Sequence, residues 1–579
     1  MKNWYISNNK NKNSFNTGRI SIETTDPLVT IDDLSIYLEG YILPRYSIFK
    51  KYKHLSSYEL IAILFTLYEI NFLNYIKGTF NLILIHHNKI YIANDFHSLR
   101  KFFYFISKDN IHISNNIERI TANTKPKVNN NSVVLYELLE HFTCEQTLFE
   151  GIRYSGPARL IEINTESLEV NKTFYYDIEA SIKPNTSDIT IEEFSDFWKT
   201  LISNYIEYLK PRSTSLTLTG GNDSRMILSA MIKQGIKPNL FSFGNPSSFD
   251  AQVARKISNF LQYDYNNYYE SPTENWYTDH VDEVIRIGNS LVNLHRAHRL
   301  FAIDSELENN PQTDMLFCGF MGGDYVKGLS YDDYITPRLF REYEYGNSKR
   351  NIPKAVENIL CNKFIDDNLF DIEFVNKLLE ESNFFSSSEL KIREFNRLFY
   401  LVGCSHDYQD ITVFNSRIPF VVNPFMDIDF LERLYGSRFS FLSVNSNLLF
   451  KKFRIGRSNF HLEITHQLAP KLSNIEYAKK GYYTANEYLN TNPYLLNIKR
   501  YYRLKKQRQF PPSFPYDYWF KQYLHKNLQL LHTIEGLPYK TSSLIQSLKD
   551  RTTIPQNEGA LHLYSNPINI ALNIKNLNT

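Results

Sequence analysis

The 579-residue sequence has only four cysteines, Cys144, Cys318, Cys361 and Cys404, far apart and with no CxxC spacing. They are too few to staple a chain of this length, which excludes a disulfide framework and fits a reducing compartment. An excess of one charge is also missing. With 64 Lys and Arg against 62 Asp and Glu, the net charge is +2, so no global field attracts a polyanion and nucleic acid is not expected as the main partner. Long hydrophobic runs are absent: the most apolar early stretch, Leu60 to Tyr68, is bounded by Glu59 and Glu69 and falls far short of the roughly 20 residues that span a bilayer. The N-terminus turns polar by Ser7, where a secretion signal needs roughly 7 to 15 apolar residues. These absences lead us to expect a soluble, cytoplasmic protein without a membrane span. No internal repeat is visible.

What is present is the composition of a folded globular chain, 42% hydrophobic and 22% charged, long enough for two domains plus trimmings. The 41 Tyr and 41 Phe fit aromatic packing and AT-rich codon usage equally, and carry no functional reading. From Ile20 to about Tyr176 short strand-like runs dominate, with one helix expected over Ser57 to Asn71. Leu82 to Ala93 is two β-rich runs separated by His86-His87-Asn88-Lys89, a hairpin pattern. The polar stretch from Ile182 to Thr190, with Pro184, precedes a helical pattern over Ile191 to Tyr208 and places a domain boundary near residue 185. Beyond it the period changes. Strands at Leu216 and Leu218, Leu240 to Phe243 and Met315 to Cys318 alternate with helices at Met226 to Ile232 and Ala251 to Leu261, the pattern of a doubly wound parallel sheet covered on both faces. Helical patterns take over after about residue 385, and the last 80 residues are rich in Tyr, Asn and Lys.

Within that α/β pattern, Ser215-Leu-Thr-Leu218-Thr219-Gly220-Gly221-Asn222-Asp223-Ser224-Arg225 is a strand running into a glycine-rich turn. In α/β sheets ligands sit at the carboxyl ends of strands, where the first N–H groups of the next helix favour anions. Gly220 and Gly221 let the backbone approach phosphate oxygens, and Thr219 and Ser224 can add hydroxyl donors. Asp223 would repel phosphate, so its fitting role is to bind a magnesium ion that bridges the phosphates. A Gly-Gly pair alone reads as an ordinary turn capped by Asn222 or Asp223; the whole string at a strand end reads as a pyrophosphate grip.

Thr219 to Arg225 is similar to the Ser-Gly-Gly-x-Asp-Ser loop of ATP pyrophosphatases, and the branch it most resembles is the asparagine synthetase family. Three further segments resemble that family in its own order. Phe241-Ser-Phe243-Gly244-Asn-Pro, with Asp250 and Ala254, resembles the second strand and the loop that cradles adenosine. Gly319-Phe320-Met321-Gly322-Gly323-Asp324-Tyr325 resembles the loop whose aspartate is a magnesium ligand. Arg417-Ile-Pro-Phe followed by Asn423-Pro-Phe-Met-Asp427 resembles the Arg-x-Pro-Phe-Leu-Asp segment. The resemblance implies ATP and Mg²⁺ as cofactors, with Asp223 and Asp324 on one metal and Leu218, Thr219, Gly220, Gly221, Asp223, Ser224, Arg225, Phe243, Gly244, Gly319 and Gly322 around ATP. It also implies that a substrate carboxylate attacks the α-phosphate, that pyrophosphate leaves, and that an amine displaces AMP. Lys479 or Lys480, before Gly481, matches a Lys-x-Gly position, Lys479 by the better spacing, where a cation would stabilise the developing charge; the alternative is a solvated loop lysine.

Upstream, Leu38-Glu39-Gly40, Gly78-Thr-Phe80, Asn94-Asp95 and Lys101-Phe-Phe-Tyr104 follow the order of a class II glutamine amidotransferase domain. The resemblance therefore covers residues 1 to about 490 and implies an Ntn-hydrolase-like α+β sandwich at 1–185, an ATP pyrophosphatase domain at 186–490 and a helical or irregular extension at 491–579. Taking residue 1 as the start, position 2 holds Lys2 where the family has its nucleophilic cysteine, and Glu39 stands where an oxyanion-hole Asn belongs. Glutaminase activity is expected to be lost. Phe320, Met321 and Tyr325 depart from asparagine synthetase proper as well. The expectation is an AMP-forming amide ligase joining a carboxylate of a small molecule, peptide or glycan to ammonia or an amine. Rivals are a glutamine-dependent asparagine synthetase, a lasso-type peptide cyclase, a surface-polysaccharide amidation enzyme and a non-catalytic scaffold. His295 and His298, one helical turn apart, are read as packing or pocket-lining in preference to metal-binding. The basic run Lys499 to Arg508 is read as a solvated helix face, with docking of an acidic peptide or phosphorylated glycan as its alternative.

Overall fold

The computed structural model describes residues 2–9, 14–184, 186–269, 274–328, 337–361, 363–443, 459–478, 483–506, 510–511, 513, 523, 527–550 and 558–577. It is a mixed α/β structure with two antiparallel sheets and one parallel sheet.

Among the described residues twelve strands build the first half: β1 (Trp4–Ser7), β2 (Phe15–Thr17), β3 (Ile20–Thr24), β4 (Val29–Ile31), β5 (Leu34–Pro44), β6 (Ile76–His86), β7 (Lys89–Asn94), β8 (Phe103–Ile106), β9 (Ile111–Ser114), β10 (Arg153–Tyr154), β11 (Arg159–Asn164) and β12 (Val170–Phe174). They form two six-stranded sheets, ordered β10-β8-β9-β1-β3-β2 and β12-β11-β7-β6-β5-β4. The run Leu82 to Ile85 is continuously apolar because β6 is buried on both faces. Ile83 and Ile85 point into the layer between the sheets with Trp4, Ile22, Ile92 and Ile113, while Leu82 and Leu84 pack with Leu60, Ile61 and Leu64. Those leucines belong to the helix Ser57–Tyr68, which starts on a capping box between Ser56 and Glu59. The expected helix continues to Tyr75 only as a tighter 3₁₀ segment, Glu69–Tyr75. The expected hairpin forms with His86 opposite Lys89, its two-residue turn eased by a left-handed φ of 52° at His87.

In the second half the parallel sheet comprises β13 (Ser213–Thr217), β14 (Asn239–Phe243), β15 (Tyr265–Tyr268), β16 (Thr313–Phe317) and β17 (Phe420–Val422), in the order β15-β14-β13-β16-β17. Every neighbouring pair is parallel. The sequence pattern misses β17: three residues are too few to show a period, and they fall in a stretch that otherwise reads as helical. The helices Ile191–Leu209, Asp223–Lys233, Phe249–Leu261 and Ala297–Asn309 alternate with the strands. Because the chain runs from β13 to β14 on one side and from β16 to β17 on the other, connections leave the adjacent ends of β13 and β16 in opposite directions, which opens the crevice where α/β sheets bind ligands.

The halves are locked together by buried charge. Lys77 of β6 donates to Asp427 at 2.6 Å and lies 2.9 Å from Asp429, Arg45 donates to Asp429 at 2.7 Å and also pairs with Glu432, and the Tyr205 hydroxyl donates to Asp427 at 2.6 Å. Asp427 also caps the helix Ile428–Tyr435. The helix Glu558–Leu577 returns to the core, where Asn569 accepts from the Leu294 N–H at 3.0 Å and donates to the Tyr136 hydroxyl at 3.0 Å. Among the described residues no helix is long and apolar enough to cross a membrane.

Candidate functional site

The turn after β13 is held by its own side chains. Leu218 is fully buried and extends the strand by donating its N–H to Phe241 at 2.7 Å. The Thr219 N–H donates to Ser224 Oγ at 3.1 Å and the Gly221 N–H to Thr219 Oγ1 at 3.2 Å. Thr219 is exposed, Gly221 and Asp223 are half-buried, and Ser224 is buried at the start of the helix Asp223–Lys233.

Gly220 is required by close approach. A Cβ there would lie 2.3 Å from Ala478 Cβ and 2.9 Å from Val253 Cβ, and the Ala478 N–H donates to the Gly220 carbonyl at 2.9 Å. Gly220→Ala is therefore expected to cost about 1–3 kcal/mol by overpacking, seen as a lower unfolding midpoint and faster hydrogen exchange at the Ala478 amide. Arg225, assigned to ATP from the sequence, has its guanidinium elsewhere. It donates to the carbonyls of Ile475 and Glu476 at 2.8 and 2.9 Å and stacks 3.8 Å from the centre of the Tyr477 ring. An arginine suits this position because its planar fork can serve two adjacent carbonyls and an aromatic face together; it braces the segment that covers the turn. Lys479 and Lys480 follow that segment in sequence and lie outside the described residues.

The second glycine-rich loop, after β16, packs on the first. Met321 takes a left-handed φ of 63°, a strained choice for a residue with a side chain, and the chain turns there into the short helix Gly322–Lys327. A Cβ on Gly322 would lie 2.8 Å from Asp223 Cγ, and one on Gly319 would lie 3.0 Å from the Ser224 nitrogen. The two loops thus meet at Asp223, with half-buried Asp324 in the first turn of the second helix. On the flank, Phe243 ends β14 under the Arg299 guanidinium, 4.6 Å from its ring centre. Gly244 follows with a φ of 103°, donating to the Tyr268 carbonyl at 3.1 Å.

One contact has no sequence signal. His461, buried on the helix Phe460–Leu468, places Nε2 3.1 Å from Asp223 Oδ1, and as a lone histidine among Phe460, Leu462 and Ile464 it reads as core. The pair His295 and His298 serves packing: His298 Nδ1–H donates to the His295 carbonyl at 2.6 Å, and burial drives its pKa well below the ordinary value. Arg296 and Arg299 pair with Asp410 at 3.2 and 3.1 Å. Arg417 pairs with Asp304 and Glu283 at 2.7 and 2.6 Å, not with either loop. Tyr325 is fully buried and bonds His97 Nε2 at 3.1 Å, tying the second loop to the first half.

In the first half Glu39 is a hub. Its carboxylate accepts from Trp4 Nε1 at 3.1 Å, Asn81 Nδ2 at 2.9 Å, Asn115 Nδ2 at 3.0 Å and Arg100 at 3.1 Å. Arg100 lies across Gly40, where a Cβ would come within 2.6 Å of its Nε. Lys2 bonds Asp26 at 2.8 Å. A cavity of about 400 Å³ opens beside Glu39 and Arg100, closed on the far side by Arg286, Asn415 and Arg417 of the second half. Burial pushes the thiols of Cys144 and Cys404 up to about 12, and Cys318 is raised by the same cause.

No protein-family model and no curated protein sequence matches this chain. Solved structures similar to it include an allosteric regulatory enzyme of purine biosynthesis, at 8% identity over 42% of this chain and 61% of that one, with a TM-score of 0.19. NMN synthetase from Francisella tularensis matches at 14% identity over 38% of this chain and 97% of its own, with a TM-score of 0.22. Glutamine phosphoribosylpyrophosphate amidotransferase from B. subtilis, complexed with ADP and GMP, matches at 10% identity over 49% and 60%, with a TM-score of 0.17. The chain spans about three fifths of the first and third of these. Scores this low say nothing about its activity.

Proposed function

We propose that this chain is an ATP-dependent, AMP-forming amide ligase, a divergent relative of the asparagine synthetase family whose glutamine amidotransferase-like half has lost its own chemistry. The observation that supports it is the packing of Gly319 and Gly322 on Ser224 and Asp223 at the carboxyl ends of β13 and β16. Two glycine-rich loops in van der Waals contact, each carrying a half-buried aspartate, suit a polyphosphate with its counter-ion.

In this reading Thr219, Gly220, Gly221 and Ser224 hold the pyrophosphate end of ATP, Leu218 and Gly319 wall the crevice, and Phe243 and Gly244 take the adenosine side. The donor set fits a hard divalent cation: Asp223 and Asp324 would hold Mg²⁺, which when bound offsets the charge on the phosphates. A substrate carboxylate attacks the α-phosphorus, pyrophosphate departs towards the first loop, and ammonia or an amine then displaces AMP from the acyl-adenylate. Lys479 is the cation proposed to stabilise the charge of that second step. Arg225 acts through the segment 475–478, as a positioning residue.

For the first half, Glu39 in a saturated hydrogen-bond network is a poor oxyanion donor, because a carboxylate repels the charge that forms. The Cys144, Cys318 and Cys404 thiols, all raised by burial, are unfit as nucleophiles. The purified chain is expected to release no glutamate from glutamine and to catalyse ATP–pyrophosphate exchange when its carboxylate is supplied. Glutamate release above a heat-killed control would restore asparagine synthetase proper; failure to bind Mg-ATP would leave a scaffold.

A further inference from the structure

The helix Pro493–Lys506 carries a feature that amide ligation does not use. Five of its large apolar side chains are more than half exposed: Tyr494 68%, Leu495 56%, Ile498 54%, Tyr501 56% and Tyr502 62%. At 100° per residue these positions fall within an arc of about 120°, so they form one stripe along the helix. The stripe is the face turned away from the protein. On the opposite side Arg503 pairs with Glu487 at 2.8 Å, while Lys499, exposed just beyond the edge of the stripe, lies 3.8 Å from the same carboxylate. A solvent-facing apolar stripe of this kind is the reverse of the usual arrangement, in which the apolar face is buried.

Charge indicates the occupant. The helix contains Lys499, Arg500, Arg503, Lys505 and Lys506 and no Asp or Glu, although the chain as a whole is nearly neutral. Lys505 lies over the Tyr501 ring at 4.8 Å, an ammonium on a long apolar stem within the stripe, placed to reach from an apolar layer back to an anionic one. Three of the five stripe residues are tyrosines, whose ring is apolar and whose hydroxyl is polar, the chemistry enriched at headgroup depth. Exposure above one half at all five positions leaves no described residue walling them in. Such a face suits insertion into a soft interface, whereas an acidic peptide would need a groove.

We propose that the helix Pro493–Lys506 is an interfacial anchor that lies in the plane of an anionic phospholipid surface, the tyrosine stripe entering the headgroup region and Lys499 and Lys505 meeting lipid phosphates. Docking there would bring the amide ligase site to the membrane surface. The helix follows in sequence the segment 475–478 that covers the Gly220 turn, and Glu487 joins it to the helix Ala485–Asn490.

The test is flotation of the full chain with vesicles of phosphatidylcholine alone, and of phosphatidylcholine with about 30% phosphatidylglycerol, at about 0.1 M salt. At least about tenfold more protein is expected on the anionic vesicles, with partial release at high salt. The triple variant Tyr494→Ser, Ile498→Ser, Tyr502→Ser is expected to lose at least about tenfold in binding with its unfolding midpoint unchanged. Should that variant fold poorly, the pair Lys499→Glu, Lys505→Glu is expected to lose binding to anionic vesicles by a similar factor. Absence of flotation with anionic vesicles, or equal flotation of the variants, overturns the proposal. So does a wild-type dimer in light scattering that the triple variant dissociates, which gives the stripe to a second copy, or tighter binding of poly-glutamate than of vesicles, which gives it to an acidic peptide. Vesicle binding is read without ATP, so it stands or falls separately from the ligase reading.

Discussion

Asp324→Ala is expected to abolish substrate-dependent pyrophosphate release, by at least about a thousandfold, while the chain stays folded. The size of the effect follows from the place of the residue. Asp324 sits half-buried in the first turn of the helix Gly322–Lys327, and the neighbours that fix this helix are Tyr325 and Val326, both fully buried. Removing the carboxylate deletes a charge from the crevice and leaves the packing intact. Asp223→Asn is the sharper companion. It keeps the shape under Gly322 and the position beside His461, so a loss as large as that of the alanine variant would assign the effect to the negative charge. Because both aspartates would serve one ion, the double variant is expected to be no worse than either single one. Activity retained by Asp324→Ala, measured as pyrophosphate released per enzyme, would remove that residue from the site.

Lys77→Met is expected to cost about 3–5 kcal/mol, because removing one partner of a buried ion pair strands the other. Asp427 would be stranded here and Asp429 left with Arg45 as its only cationic partner among those named, at the junction of the two halves. The prediction has a pH signature. Burial pushes the Asp429 carboxyl up, but Lys77 and then Arg45 overrule it and hold it at about 2, against an ordinary 3.8. A carboxylate with a depressed folded-state pKa stabilises fully above its unfolded value, and that contribution is lost as pH falls from about 4 through about 2. Wild type should therefore lose stability across that window, and Lys77→Met should lose less of it. Denaturant midpoints at a pH of about 7, above the window, and of about 4 and 2.5, at its top and within it, make the comparison; equal slopes for both proteins would contradict the assignment.

Some misreadings of the sequence have plain causes. The strand β17 is only three residues long, too short to alternate, and its place beside β16 depends on pairing with residues more than a hundred positions away. The last 80 residues stand out in the sequence only as rich in Tyr, Asn and Lys, yet Asn566, Asn569 and Asn573 are buried, and Asn569 finds its partners in Tyr136 and Leu294. Arg225 adjoins a phosphate-type motif, so its sequence position suggests a ligand; its guanidinium is taken by carbonyls 250 and 251 residues away.

The sequence by itself determined the features that depend on neighbours along the chain. These are the short strand-like runs of the first half and the strand–helix alternation of the second, the His87 turn, the capping box at Ser56, and the glycine-rich turns at 219–224 and 319–324. Only the tertiary structure decided what those turns face. The strand order β15-β14-β13-β16-β17 makes the ends of β13 and β16 adjacent, bringing Gly322 onto Asp223, Ala478 onto Gly220 and His461 beside Asp223. The physical reason is the range of the forces: dihedral preference and capping act over a few residues, whereas packing and buried hydrogen bonds join residues of any separation, and their partners are fixed only when the chain closes on itself.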